Sequence, residues 1–402
     1  MAPMRDMAAV DAQQFWLSAK VPNDQFLLYA FAGEPDIPAA ADEILRRAAQ
    51  CESLRLRIVD NTPWRYPSWV PAAIGSDDVV VHTGGDLQQC LDAVGCLDQL
   101  DATRLPWRVH IFAPNVVVVQ ISHALGDGSR SAALAAALLG RPVPISSVVS
   151  PRPGFLPWRA LVAARAHRGS PPPSPPRPAL SINARPVAIP TLRTLVLDSG
   201  RLGPTVTIGA LVAISEALGG YLSARGEDVS RLGAEVPMAG PDTGAAAAAH
   251  NNFANVSVGL YPELARPGRA ARISADLDDQ RRRRRHRAAI TSAEAFAATP
   301  AWLLRWGVGK FDAGAQGDMG SGNMVSGNTV VSSINRGPAD LSFGGCPVRF
   351  TAGFPALSPM QSLTHGVHGI GGTVAVSVHA DPANVDVDDY LARLAHALGC
   401  QP

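Results

Sequence analysis

The segment Val116-Val117-Val118-Val119-Gln120-Ile121 constrains the fold more than any other stretch of this 402-residue chain. Its β-branched run leaves no polar face for water, so the strand it forms must be covered on both sides, inside a sheet. Ala113-Pro114-Asn115 ahead of it reads as a turn, and Trp107–Phe112 ahead of that as a neighbouring strand. Next comes Ser122-His123-Ala124-Leu125-Gly126-Asp127-Gly128. Ser129 then reads as the cap of an Ala- and Leu-rich helix through about Leu139, which Gly140 ends. A buried strand, a polar loop and a capped helix in succession are the unit of a mixed α/β fold.

The remaining chain repeats that style on either side of a proline-rich stretch. Ala39–Gln50 has helical spacing and Leu54–Val59 alternates like a half-buried strand. His167–Pro190 holds too many prolines for a helix or a central strand and reads as an extended connector. Beyond it, Thr205–Leu222 reads as a long apolar helix, and Asn251–Leu260, Asn328–Ser333 and Thr373–His379 as strands. Asp386 reads as the cap of a final helix with Leu391, Leu394 and Leu398 inward. The length is that of two domains of about 150–200 residues. The expected division is 1–166, a connector at 167–190, and 191–402.

Composition excludes several classes. With 47% hydrophobic and 17% charged residues the chain is globular, and a net charge of +1 gives no global pull toward nucleic acid or an anionic membrane. Lys20 and Lys310 are the two lysines among 35 basic residues, which points to a GC-rich genome such as an actinobacterium's. Cys51, Cys90, Cys96, Cys346 and Cys400 are odd in number and scattered, so reduced thiols are expected and neither a disulfide framework nor a metal site. No continuous apolar leader opens the sequence, and no unbroken apolar run reaches the ~18 residues of a membrane helix. The expected location is the cytoplasm, with room for peripheral membrane contact.

His123 carries the chemistry. A strand end aims the imidazole, and an ordinary pKa near neutrality lets its neutral form take a proton from a hydroxyl or amine. Gly128 permits a positive φ or a close backbone approach. The pattern His-x-x-x-Asp-Gly is weak by spacing alone, and a capped turn with an incidental histidine is the bland alternative. In context, LPWRVHIFAPNVVVVQISHALGDGSRSAALAAALLG resembles the active-site region of the HxxxDG acyltransferases. That superfamily includes chloramphenicol acetyltransferase-like enzymes, peptide condensation domains, polyketide-associated acyltransferases and bacterial wax ester synthase/diacylglycerol acyltransferases. The resemblance to the last group spans nearly the whole chain: Val10-Asp11-Ala12 before Phe15-Trp16, Ala49–Arg57, Thr205–Gly226, Val236-Pro237, Asn251-Asn252-Phe253 and Ser332–Pro338. The chain departs from the pattern where the family often has a first histidine (Ser122), an Asn-Asp pair (Ile208-Gly209) and an Arg after Val236-Pro237.

The resemblance implies two chloramphenicol acetyltransferase-like domains with a tunnel between them. An acyl group would pass from a coenzyme A or phosphopantetheine thioester to an alcohol or amine, with His123 as base and no metal or redox cofactor. It implies a mainly structural Asp127 beside Gly128, paired with an arginine for which Arg336 is the candidate. Ser333, Asn335 and Asn252 are the candidate oxyanion or substrate donors. The alternatives are a condensation-type enzyme fed by a carrier protein and a non-catalytic relative that binds a lipid or partner. Outside this constellation, Arg281–Arg287 reads as a solvated helix face, with anionic headgroups, coenzyme A phosphates or a carrier protein as the alternative contact. His365 and His368, among glycines, read as a hairpin loop, His110 as a core or surface histidine, and Asp11 as a helix cap.

Overall fold

The computed structural model describes residues 5–142, 145, 156–203, 205–240, 249–310 and 324–400. The first half runs β1 (Arg5–Asp6), α1 (Ala9–Ser18), β2 (Gln25–Phe31), α2 (Ile37–Gln50), β3 (Leu56–Val59), β4 (Ser68–Pro71), β5 (Val79–His82), α3 (Leu87–Gly95), β6 (Trp107–Phe112), β7 (Val116–Ile121) and α4 (Gly128–Leu138). Next come α5 (Leu156–His167), the short β8 (Arg177–Pro178), β9 (Thr191–Asp198), α6 (Val206–Ser223), β10 (Gly233–Ala239) and β11 (Phe253–Gly259). Three helices follow: α7 (Arg266–Arg285), α8 (Arg287–Ala297) and α9 (Ala301–Lys310). The chain then forms β12 (Met324–Val325), β13 (Thr329–Asn335), β14 (Ser342–Phe343), β15 (Cys346–Phe354), β16 (Leu363–Ile370), β17 (Thr373–Ala380) and α10 (Val387–Leu398).

Two six-stranded sheets carry the molecule, in the orders β14-β15-β2-β7-β6-β5 and β11-β10-β13-β16-β17-β9. The valine run is β7, antiparallel to β2 on one side and β6 on the other, with every residue buried. Burying each of those valines contributes about 1.5–3 kcal/mol, which is why this strand takes the interior place. In the second sheet β13 is parallel to both β10 and β16. One cluster of buried residues gathers under the first sheet and a second around α6 and α10. A third joins the halves, with Leu28, Val118, Leu192, Phe354 and Ala375 in contact.

Strand β15 follows the connector in sequence but pairs antiparallel with β2 in the first sheet. It packs against β16 and β17 of the second sheet as it does so. The closeness depends on glycine. A Cβ on Gly366 would collide with the carbonyl oxygen of Gly353, and one on Gly353 would collide with the His368 ring.

Several expectations are corrected and others hold. His365 and His368 lie in β16, and only Gly371-Gly372 beyond them forms the turn, with Gly371 at φ +57°. Gly366 serves close packing. Asp127, not Ser129, caps α4: its carboxylate accepts from the backbone N–H groups of Ser129 and Arg130 at 3.1 and 3.0 Å. The start of the Leu54–Val59 stretch is a short 3-10 turn, Glu52–Arg55, and the strand begins at Leu56. Helix α6 is long and apolar enough to span a membrane by composition, yet 61% of it is buried inside the protein. Asp386 caps α10 by accepting from Asp389 N at 3.1 Å, and Tyr390, Leu394 and Leu398 face the core. His110 is a core histidine, bonded to Gln120 and His82.

Candidate active site

His123 stands just past the end of β7, where a turn closed by Leu125 N donating to Ser122 O fixes the backbone. Its Nδ1 lies 2.9 Å from the side-chain oxygen of Asn251. The orientation of that amide is set by its other bonds. Asn251 Nδ2 donates to the His123 carbonyl at 2.9 Å and to Asp11 Oδ1 at 2.9 Å, so the amide oxygen faces the ring. His123 therefore carries its proton on Nδ1 and donates it to Asn251, which leaves the Nε2 lone pair for the cavity. Phe253 stacks on the imidazole, 5.3 Å between centroids.

Asp11 anchors the arrangement. It sits in the first turn of α1 rather than at the cap position, which is Ala8, so its expected role as a helix cap is corrected. Its carboxylate accepts from His250 N and Asn251 N at 3.0 and 2.9 Å as well as from the Asn251 amide. Burial pushes its pKa up to about 6 against the pull of those bonds. Burial likewise holds the His123 imidazole below its ordinary value, opposed by the Asn251 bond and the Asp127 charge. At neutral pH the ring is thus unprotonated, the form a base requires.

Asp127 ties the two halves. Beyond capping α4, it accepts from Asn252 N at 3.1 Å, and its own N–H donates to His250 O at 3.2 Å. Arg336 is not brought to it. The end of β13 aims that side chain toward β15 and β16, where it donates to Thr351 Oγ1 at 2.7 Å and His368 Nδ1 at 3.3 Å and lies over Tyr29. The cation whose field acts on Asp127, and on Asp11, is Arg130, which donates to Leu125 O and Ser53 Oγ.

A cavity of about 840 Å³ opens at His123. Asp127, Gly128 and Ser129, the cavity-side residues of β13 and the inner side of α9 line it. Gly128 does not take a positive φ; it permits close approach, because a Cβ there would press on Ile334 Cδ1. Ser333 lines the cavity and exchanges a 2.7 Å hydrogen bond with Thr207 Oγ1. Asn335 does not line it: it is exposed, and its side chain accepts from Gly337 N. Asn252 lines a separate cavity of about 300 Å³ that also touches Asn251 and Phe253. Among the described residues no group of three His, Cys, Asp or Glu side chains is placed to hold a metal ion. Sequence reasoning missed Asn251, Phe253 and Arg130. Asn251 and Phe253 flank the Asn252 it selected, and Arg130 follows Ser129.

The comparisons with known proteins agree with this architecture. The family model described as the WS/DGAT C-terminal domain matches residues 251–399, beginning at the residue that orients His123. No curated protein matches the chain in sequence. Among solved structures, the wax ester synthase/diacylglycerol acyltransferase from Marinobacter aquaeolei VT8 aligns with a TM-score of 0.66 at 17% identity, covering 98% of each chain. A variant of the starter condensation domain of rhizomide synthetase, in complex with C8-CoA and Leu-SNAC, aligns with a TM-score of 0.58 at 15% identity, covering 98% of this chain and 93% of its own. Identities this low speak for the fold. The chain has the two-domain, chloramphenicol acetyltransferase-like fold shared by wax ester synthase/diacylglycerol acyltransferases and condensation domains, and its residues 251–399 match the model of the WS/DGAT C-terminal domain.

Proposed function

We propose that this protein is an acyltransferase that moves an acyl group from a thioester donor, an acyl-CoA or acyl carrier, to an alcohol or amine, with His123 as general base. The observation that carries the reading is the Nδ1–H of His123 committed to Asn251 beside a cavity of about 840 Å³. The family model over residues 251–399 and the complex of a structural neighbour with C8-CoA and Leu-SNAC support it.

In the reaction, His123 Nε2 takes the proton of the acceptor hydroxyl or amine as the lone pair on the acceptor's oxygen or nitrogen attacks the thioester carbonyl. The tetrahedral oxyanion needs a donor, and the Ser333 hydroxyl is the candidate that lines the cavity. Collapse breaks the C–S bond, and the proton held on Nε2 passes to the departing thiolate. Asp11 and Asn251 hold the imidazole tautomer through both steps.

The test is transfer itself. The protein is incubated with short- and long-chain acyl-CoA and acyl-carrier donors against a panel of alcohols and amines. Free thiol is followed spectroscopically and product by mass spectrometry. Acyl product from wild type, lost in His123→Ala, is expected. A protein that binds thioesters yet yields neither thiol nor product with any acceptor would leave a binding role in its place.

A further inference from the structure

Arg336, just past the end of β13, is buried without a counter-ion. It is 5% exposed, and among the described residues no carboxylate pairs with it. Its charge meets neutral groups instead: it donates to Thr351 Oγ1 at 2.7 Å and to His368 Nδ1 at 3.3 Å, and it lies 5.1 Å from the Tyr29 ring centroid. Its Nε–H has no hydrogen-bond partner among the described residues. A lone charge held out of water costs more than neutral acceptors and an aromatic face return.

The neighbours do not supply the missing charge. A guanidinium has N–H groups alone to offer, so the His368 Nδ1 that faces it accepts and the proton sits on Nε2. Burial and the Arg336 charge hold this ring well below its ordinary value, against a weaker pull from the Ala352 carbonyl, so it stays neutral. Its Nε2 also lacks a hydrogen-bond partner among the described residues. Thr351 Oγ1 spends its own proton on Leu28 O at 2.8 Å. The niche is built for the pair: a Cβ on Gly353 would strike the His368 ring and come within 2.8 Å of Arg336 Nη2. Both residues line the cavity that opens at His123, and Arg336 is the one lysine or arginine among the described residues lining it. The two carboxylates on the same wall turn to other donors. Asp127 accepts from Ser129, Arg130 and Asn252 N–H groups, and Asp24 from Leu100 N and Gln120 Nε2. One fixed positive charge beside two unused N–H groups matches a carboxylate, with its single charge and two acceptor oxygens; a phosphate monoester, with nearly two charges, calls for a second cation.

We propose that a carboxylate carried by one of the two substrates seats against Arg336 inside the His123 cavity. Either the acceptor is then a hydroxy or amino acid, or the transferred acyl chain ends in an acid. The seat stands on the cavity alone; what becomes of the ligand in it rests on the acyl-transfer reading.

The experiment uses the full chain and matched pairs of ligands. Hydroxyhexanoate is compared with hexanediol as acceptor, and adipyl-CoA with hexanoyl-CoA as donor, so each arm places the charge on one substrate. In one arm the acid should be favoured over its neutral match at least about tenfold in kcat/KM, through KM. Arg336→Gln should bring that ratio to about one. Arg336→Lys, which keeps the charge without the planar fork, should retain part of it. Calorimetry with hexanoate against hexanamide reads the same contact without turnover. Wild type should bind the acid at least about tenfold more tightly than the amide, and Arg336→Gln should not distinguish them. A purely structural arginine would affect both members of every pair alike. Should Arg336→Gln fail to fold, Arg336→Lys and the wild-type calorimetry carry the comparison. Equal handling of acid and neutral ligand by wild type, in both arms and in calorimetry, would overturn the proposal, as would an acid preference that survives Arg336→Gln. Hexanoate binding that depends on Arg336, without acyl transfer from any donor, would count against the acyl-transfer reading and leave the carboxylate seat intact.

Discussion

His123 Nδ1 and Asn251 Oδ1 stand 2.9 Å apart, although one follows β7 of the first half and the other precedes β11 of the second. The base and the group that fixes its tautomer thus come from different halves, and Asp11 on α1 closes the link by accepting from the Asn251 amide. Asn251→Ala frees the ring to rotate and exchange tautomers. The expected result is a kcat lower by on the order of 10²-fold with KM little changed. Asn251→Asp sets a carboxylate beside Nδ1, stabilises the imidazolium, and should move the acid limb of kcat/KM to higher pH. Unchanged kcat and an unchanged limb in both variants would remove Asn251 from the mechanism.

His123→Ala should cost ~10²–10⁴-fold in transfer, the usual worth of a general base, with an unchanged melting temperature. The wild-type pH profile carries the same information. Burial holds the imidazole below its ordinary value, so the active neutral form persists as pH falls past the mid-sixes. Activity should decline only in more acidic solution. A limb at or above the ordinary imidazole value would contradict the burial described.

Asp127→Ala removes the acceptor of three backbone donors, on Ser129, Arg130 and Asn252. Loss of the helix cap and of the tie between halves should destabilise by on the order of 2–4 kcal/mol, and activity should fall with stability. Asn at this position keeps one acceptor and should recover part of both. A purely kinetic defect with an unchanged melting temperature would instead give Asp127 a direct chemical role.

Gly128→Ala pushes a methyl group against Ile334 Cδ1. Overpacking of this kind costs about 1–3 kcal/mol and shifts the start of α4 relative to β13. Ile334→Val deletes the offending methyl, so the double variant should regain activity that Gly128→Ala loses. Failure of that rescue would place the need for glycine elsewhere.

Six buried histidines among the described residues set the acid response, His123 and His368 held below the ordinary value and four more with them. Burial depresses His110 and His379 to about 4 and His250 and His365 to about 3. Below the ordinary 6.5 the unfolded chain takes protons that the folded one refuses. Their stability contribution is therefore full above that value and lost as pH falls, at up to about 1.4 kcal/mol per pH unit for each ring. Asp11 and Asp24, both raised to about 6, work in the opposite sense over the same window, because the folded state keeps protons the unfolded chain releases. Among the described residues six buried rings stand against three raised carboxyls, Glu235 being the third, so the melting temperature should fall between pH 6.5 and 4. Among the described residues neither ring nitrogen of His250 has a hydrogen-bond partner, and the ring lies tilted against Trp69, so His250→Phe should make that fall shallower. A slope unaffected by this substitution would count against the assignment.

What the sequence displayed and what it hid follow from the range of the interactions. β7 was legible because a β-branched run has one place to go, and α10 because its cap and its apolar spacing are local. His123 was legible as a histidine at a strand end. Asn251 was not, since its partner lies 128 residues away and no periodicity links them. The strand β16 was hidden because its glycines imitate a loop; Gly366 answers to Gly353 on another strand, which a local reading does not include. Arg336 was assigned to Asp127 by expectation, whereas the direction of β13 commits it to Thr351 and His368.

The placement of β15 also bears on how this polypeptide is made. β2 leaves the ribosome long before the neighbour on its outer side, which ends at Phe354. Until that residue emerges, the nascent chain carries a long apolar strand with an open edge, a template for pairing with the wrong partner. A gene cut at the proline-rich connector would therefore not yield two transplantable modules. One fragment would lack the strand that completes its sheet, and the other would hold that strand with no sheet to join.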